Sequence, residues 1–565
     1  MSSLRGFPFA SSADRSARWL VFAAVFAIAL SFAAYTNHAW EDYYITYRVS
    51  KNLATGHGLV YTVGERVHAF TSPINVLVPA VLSIITGNTS DGLVLWLFRI
   101  VSAAVLAAAA VPLFEIARKN SLSLIPAAVM VGLFGLDAKI VDFSINGQET
   151  AFMMFFLALT LHALTVPSRW TILKLGLAWT GLMWTRPDGF IYFGAVALGF
   201  VLFNAGQPIA QSRLRPLKVF LCAGAITTVL YSPWVLWAWH YYGSPIPHTI
   251  TAKGYVFGVL TPHSGSRLIN VLTFPIRMLL GDTAADGTFL PAYASALGGW
   301  HWTAMLYGKC LAYLCAFYWC VPSARAAARA VSFAFLLSLY YLSDIACYPA
   351  PWYVPNCAIL AIFVLAHAAQ HGLDFAASLK GKDDLFCRRS TAGIRGLGAL
   401  VLSATLLLTL CAAYQLRIQQ RLIEDGHRKQ IGLWLRQNAS SPSDSVFLEP
   451  LGYIGYFSQL KMLDWPGLCA PEVVAAEKKL HTSAWPELIL QLRPDWLVLE
   501  WERVAQMQQA RPQLLTQLYS SVKVFDVSER IAAYQWLPGR GYLAVDQTFA
   551  VFKRNKASTA VQSRN

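Results

Sequence analysis

The chain has 565 residues, 56% of them hydrophobic and only 13% charged, against roughly a quarter charged in soluble domains. That composition excludes disorder, collagen, coiled coil and a disulfide-rich secreted scaffold, and indicates a multi-span α-helical membrane protein. The net charge of +15 does not mark a nucleic-acid surface, because the basic excess sits in short polar gaps between apolar runs, where the positive-inside rule puts it.

In chain order, the first apolar run (19–35) follows Arg5, Arg15 and Arg18 and reads as a retained first helix with a cytoplasmic N-terminus. Ten further runs fall near 93–115, 121–137, 150–166, 171–186, 189–204, 219–239, 302–322, 330–347, 354–369 and 396–415, about eleven spans in all. Alternation then places Arg118/Lys119, Arg169/Lys174, Arg213/Arg215/Lys218, Arg325/Arg329 and the group from Lys380 to Arg395 on the cytoplasmic side. An odd count puts the C-terminus outside. The segment 73–86 is apolar but short, and 267–280 has the composition of an interfacial helix.

Two outside loops, 38–92 and 240–300, are rich in aromatic, Gly, Pro and His residues, so order is expected of them. Beyond about 416 charge returns and the apolar runs shorten to strand length at 445–448, 461–465, 496–500, 522–527 and 548–553. Helix-like stretches at 429–437 and 471–480 alternate with these, which predicts a small extracytoplasmic α/β domain. The division expected is 1–415 for the membrane unit and 416–565 for the tail. The nine cysteines show no metal spacing, and Cys469 reads as a packing residue.

The densest polar cluster follows the first span: Glu41-Asp42-Tyr43-Tyr44-Ile45-Thr46-Tyr47-Arg48, Asn52, Gly56-His57-Gly58 and Gly64-Glu65-Arg66. Two adjacent carboxylates at a membrane boundary are costly unless solvated, paired or used. Such a pair can act as a general base or hold a cation, or simply mark the outer face beside an aromatic belt. Asp137 and Asp142, then Asn146-Gly147-Gln148-Glu149, then Thr185-Arg186-Pro187-Asp188-Gly189 put more charge at outer helix ends. Arg186 and Asp188 either pair across a tight turn or join one shared polar cavity. His240-Tyr241-Tyr242-Gly243-Ser244-Pro245-Ile246-Pro247-His248-Thr249 with Lys253 supplies donors of the kind a lipid phosphate needs, or else a Pro-stiffened turn with a snorkelling lysine. The turn Cys347 to Tyr353 reads as a structural interfacial turn.

The run from Glu41 through Arg48, Lys51-Asn52, Gly56-His57-Gly58, Gly64-Glu65-Arg66 and Thr71-Ser72-Pro73 resembles the first outside loop of mycobacterial-type terminal arabinofuranosyltransferases. The likeness continues in Asn146-Gly147-Gln148-Glu149-Thr150, Thr185-Arg186-Pro187-Asp188-Gly189 and Tyr242-Gly243-Ser244-Pro245-Ile246-Pro247-His248 with Lys253. In the tail it covers Trp434-Leu435-Arg436, Gly452-Tyr453-Ile454-Gly455-Tyr456, Leu463-Asp464, Gly467, Pro471-Glu472 and Arg493-Pro494-Asp495. Those enzymes have the GT-C fold and use polyprenyl-phosphate-linked sugars. The family usually carries Asp-Asp-Ala-Tyr-Ile where this chain has Glu41-Asp42-Tyr43-Tyr44-Ile45; it also differs at His68 and at His248.

The resemblance implies a membrane glycosyltransferase that moves a sugar, expected to be arabinofuranose, from a polyprenyl-phosphate donor to an extracytoplasmic glycan, lipid-glycan or glycoprotein. Asp42 or Glu41 is the implied catalytic carboxylate, with Asp42 favoured. Arg186, Lys253, His248 and Arg66 are the candidates for the donor phosphate. Glu149, Asp188, Tyr44, Arg48 and His57 are expected to position substrate. A divalent cation (Mg, Mn or Ca) is left open, with Asp42 and Glu149 as the carboxylates to hold it. The rivals are a flippase or exporter of lipid-linked sugars and a GT-C transferase for a hexose or aminoarabinose.

Overall fold

The computed structural model describes residues 12–205, 214–260, 267–280, 284–292, 294, 299–346, 350–379 and 384–555. Arg5, Arg213, Lys380 and residues 347–349 of the aromatic turn lie outside them. The chain opens with α1 (Ser12–Thr36), α2 (Glu41–Ala54), α3 (Pro73–Ile85) and α4 (Asp91–Lys119). Then follow α5 (Leu124–Leu136), α6 (Ala138–Ile145), α7 (Thr150–Thr165), α8 (Thr171–Thr185), α9 (Gly189–Leu202) and α10 (Leu214–Tyr242). The second half has α11 (His248–Leu260), α12 (Arg267–Leu280), α13 (Ala284–Gly287), α14 (Trp302–Phe317), α15 (Ala326–Tyr340), α16 (Val354–Ser378) and α17 (Asp384–Gln419).

Each of the eleven apolar runs coincides with a helix. Among the described residues, six helical segments are long and apolar enough to cross a membrane by length and composition: Asp14–Thr36, Asp91–Lys119, Pro216–Tyr242, Ala326–Ile345, Pro351–Ser378 and Leu385–Asn438. Helices α5 and α6 pass that test together as a pair bent by 42°. The bend has a local cause. The Asp137 carboxylate accepts from the Lys139 and Ile140 amides at 3.0 and 2.9 Å, ending α5 and capping α6.

The segment 73–86 forms the 13-residue α3, capped by Ser72 with Pro73 in its first turn. Segment 267–280 is α12, whose Arg277 pairs with Asp344 while Leu268, Leu272 and Ile276 stay exposed. Basic groups expected on one side do meet there. Arg118 pairs with Asp14, Arg18 with Glu115 at 2.9 Å, and Arg325 donates to the Asn120 carbonyl at 2.6 Å.

Helix α17 runs without a break across residue 415, through a π-helical stretch (Gln420–Arg428) into α18 (Lys429–Asn438). The tail is therefore joined by a helix and not by a linker. It folds as β1 (Ser445–Leu448), α19 (Leu451–Ser458), β2 (Lys461–Asp464), α20 (Pro471–Leu480), β3 (Trp496–Glu500), β4 (Tyr519–Asp526) and β5 (Thr548–Arg554), with short helices between. The sheet order is β2-β1-β3-β5-β4, parallel among the first three and antiparallel from β3 through β5 to β4. Edge strand β4 begins three residues before the apolar signal at 522, because its residues are mostly exposed and it carries an irregularity at Ser521/Lys523.

The tail packs on the same end of the bundle as α2. Arg48, buried in α2, donates to the carbonyls of Gly455 (2.9 Å) and Leu460 (3.1 Å), and Tyr456 donates to Asp91 at 2.6 Å. Arg417 of α17 lies 4.8 Å over the Tyr35 ring of α1, so the C-terminal ends of these two helices are level with each other.

Candidate functional site

The site begins with how the chain leaves α1. Asn37 adopts φ +48°, and the buried Arg99 of α4 gathers the turn by donating to Asn37 Oδ1 (2.8 Å), the His38 carbonyl (2.6 Å) and the Ile145 carbonyl (3.2 Å). The Trp40 amide donates to the Asn146 carbonyl at 2.9 Å, and His38 Nδ1 meets Asp142 at the same distance. Gly147 has φ +102°, and a Cβ there would collide with the Tyr43 ring. This bracing puts Glu41 and Asp42 in the first turn of α2, where unsatisfied backbone amides favour negative charge.

The two carboxylates have different partners. Glu41 Oε1 accepts the Gly452 amide of α19, so the tail holds this side chain directly. Arg428, itself paired with Glu424 at 2.9 Å and with Asp546, faces Glu41 electrostatically. Burial pushes the Glu41 carboxyl well above the usual range, and the adjacent Asp42 charge adds to it. Burial also raises Asp42, but the Lys253 ammonium, the Glu41 carboxyl, Arg186 and Arg428 pull it back. Asp42 and Lys253 have no ion-pair partner among the described residues.

Across from this pair, three helix ends converge. Arg186, at the end of α8, donates to Glu149 at the start of α7 (2.6 Å) and to Asp188 before α9 (2.9 Å). Its guanidinium lies 4.3 Å over the Tyr353 ring. Lys253 of α11 sits 6.0 Å over Trp352, whose ring is 5.7 Å from Trp40. The outcome is an aromatic floor carrying two cations, one paired and one not.

Of the residues singled out in the sequence, Asp42, Glu41, Arg186, Lys253, Glu149 and Asp188 are brought into this cluster. The others take different surroundings. Arg48 fastens α2 to the tail. Tyr44 packs between Tyr453, Tyr456 and Phe457 at 4.4, 5.0 and 5.3 Å. His57 is exposed and meets Thr55 Oγ1 at 2.9 Å. Arg66 is exposed over the Tyr241 ring. His248 turns to the tail near Asp464 and Gly467, and burial lowers its imidazole. Cys469 is buried with Sγ 2.9 Å from Asp464.

Several members were not singled out in the sequence. Tyr353 and Trp352 belong to the aromatic turn read as mostly structural. Arg99 carried a usable signal, a lone charge inside an apolar run. Gly452 stood in a tail motif of the family resemblance without an assigned role, and Arg428 carried no signal, since the role of each depends on docking of the tail.

The donor set does not suit a divalent cation. Glu149 is taken by Arg186, Asp42 faces two cations, and no group of three or more His, Cys, Asp or Glu among the described residues is arranged to hold a metal.

The close approach at Gly452 yields a prediction. An alanine methyl there would meet the Glu41 backbone carbonyl and its carboxylate. Gly452→Ala is expected to destabilise the protein by about 1–3 kcal/mol, read by thermal unfolding, and to displace the carboxylate pair. An unchanged melting temperature would refute the close-packed docking.

Residues 414–552 match a family model described as a domain of unknown function (DUF8728). A terminal beta-(1->2)-arabinofuranosyltransferase of Corynebacterium glutamicum is 26% identical over 263 residues, covering 43% of this chain and 36% of that protein. The matched stretch thus spans about a third of that relative's length. Among solved structures, the oligosaccharyltransferase AglB of Archaeoglobus fulgidus, in complex with an inhibitory peptide and a dolichol-phosphate, aligns with TM-score 0.55 at 13% identity, covering 92% of this chain and 74% of its own. Its apo form gives TM-score 0.54 over the same shares. The chain has the GT-C fold of these membrane proteins and resembles the terminal arabinofuranosyltransferases.

Proposed function

We propose that this protein is a membrane glycosyltransferase that transfers a sugar, arabinofuranose, from a polyprenyl-phosphate donor to an extracytoplasmic glycan, lipid-glycan or glycoprotein. It would cross the cytoplasmic membrane eleven times, N-terminus inside and tail outside. The observation that carries the reading is the Asp42 carboxylate, without a paired cation among the described residues, facing Lys253 and Arg186 on an aromatic floor at the helix ends. The dolichol-phosphate in the AglB complex supports a lipid phosphate as the donor's carrier.

In this reaction Asp42 takes the proton from an acceptor hydroxyl as its oxygen attacks the anomeric carbon. The bond from that carbon to the phosphate oxygen breaks, and the lipid phosphate leaves with the electron pair. Lys253 meets the growing phosphate charge, since Arg186 is already matched by two carboxylates. Glu41, tied to the tail, keeps the first turn of α2 in place.

The test incubates purified protein with synthetic polyprenyl-phosphate-linked D-arabinofuranose and acceptor extract and follows free polyprenyl phosphate. Release that depends on acceptor supports the reading. No release here but release from hexose or aminoarabinose donors would move the sugar; silence with every donor would favour a flippase.

The charge pattern also sets a pH dependence. Asp42 must be ionised to act, and burial raises its pKa, so transfer should rise with pH through a limb above the ordinary Asp value of about 4. Lys253 lowers that pKa. Lys253→Met should therefore push the acidic limb of kcat/KM to higher pH as well as weaken donor binding. A limb that stays in place would separate Lys253 from the base.

A further inference from the structure

On the other flank of the 37–40 segment lies a cavity of about 490 Å³ lined by Tyr35, Asn37, Arg417, Gln420, Arg421 and Asp425, with Ala34 and Thr36. Its level is set by the chain itself: the apolar span of α1 ends at Thr36, and Arg417 of α17 stacks on Tyr35. Both arginines are exposed and lie one helical turn apart on one face. Neither has an ion pair or side-chain hydrogen bond among the described residues.

The acid in the lining is already engaged. Asp425 accepts from Gln420 Nε2 at 2.9 Å and has Lys429 at 3.8 Å. Gln420 Oε1 accepts from the Ala39 backbone amide at 2.9 Å, so the wall of the cavity is part of the turn that leads to Asp42. Two unmatched guanidinium forks, an aromatic ring and a rigid amide thus surround a roomy space where an apolar span ends. Guanidinium forks match phosphate oxygens in pairs, and at this depth phosphates belong to lipid headgroups.

We propose that this notch binds the phosphate of an anionic membrane lipid, at a site distinct from the Lys253–Arg186 floor. The proposal rests only on α1 and α17 crossing a membrane, and so stands or falls apart from the transfer reaction. Its occupant would press against the back of the 37–40 turn.

The full chain in detergent would be titrated with phosphatidylglycerol and bound lipid counted by native mass spectrometry, beside phosphatidylcholine and inorganic phosphate. Expected is retention of phosphatidylglycerol, with Arg417→Gln/Arg421→Gln weakening it by about tenfold or more. Both side chains are exposed, so the fold should survive; Arg417→Lys/Arg421→Lys, which keeps the charges but not the forks, should fall between. Equal retention by the Gln double variant would make the arginines interfacial anchors only and overturn the site. Displacement of the lipid by equimolar inorganic phosphate, or equal retention of phosphatidylcholine, would overturn the anionic-lipid assignment.

Discussion

An Asp42→Asn variant should fold normally and lose transfer by about 10²–10⁴-fold, the range that removal of a general base commands. The amide is nearly isosteric, so the first turn of α2 should keep its shape. What disappears is the only group in the first turn of α2 that faces Lys253 and Arg186 without being fastened to the tail. Glu41→Gln supplies the contrast. Its amide oxygen can still accept the Gly452 amide, so a loss of about tenfold or less is expected, from the altered charge beside Asp42. Single-turnover release of polyprenyl phosphate at saturating donor reads both variants. Should Asp42→Asn retain activity while Glu41→Gln loses it, the base belongs to Glu41 and the role of the tail contact must be redrawn.

The second large effect is expected at Arg186. Arg186→Met leaves Glu149 and Asp188 without the cation that bridges them, and Glu149 is only 5% exposed. Removing one partner of a buried ion pair typically destabilises by about 3–5 kcal/mol, and the contact over Tyr353 goes with it. Stability and activity can be parted. Adding Glu149→Gln and Asp188→Asn to Arg186→Met removes the stranded charges and should recover most of the melting temperature. Transfer should stay low, because the guanidinium that lies over Tyr353 and faces Asp42 is still missing. Recovery of both would make Arg186 purely structural. Arg186→Lys keeps a charge but cannot span two carboxylates, so intermediate stability is expected.

Much of this architecture was legible in the sequence because its signals are local. The eleven apolar runs became helices, since hydropathy over a span is a property of neighbouring residues. The strands of the tail carry the same kind of local signal, and β4 departs from its apolar run because its residues are mostly exposed. Motifs at helix ends pointed to Glu149, Arg186 and Asp188 because the residues that end one helix and begin the next are forced to one end of the bundle. Docking contacts were not legible. Arg48 resembled a substrate-positioning residue in its motif, yet its donors go to carbonyls more than 400 positions away, with sequence separations of 407 and 412. Tyr353 reads as an interfacial aromatic in the sequence, and only the placement of the turn before α16 brings it under Arg186.

Local sequence signals are enough to identify a polytopic helical membrane protein with an α/β tail, and to point to a set of charged residues at helix ends. Hydropathy, charge bias and motif spacing carry that much, for they need no knowledge of which segments touch. The different surroundings of the two adjacent carboxylates arise from tertiary contacts alone. Glu41 and Asp42 are neighbours with nearly the same chemistry, and the distinction arises because a backbone amide 411 residues away captures one of them and leaves the other facing the cations.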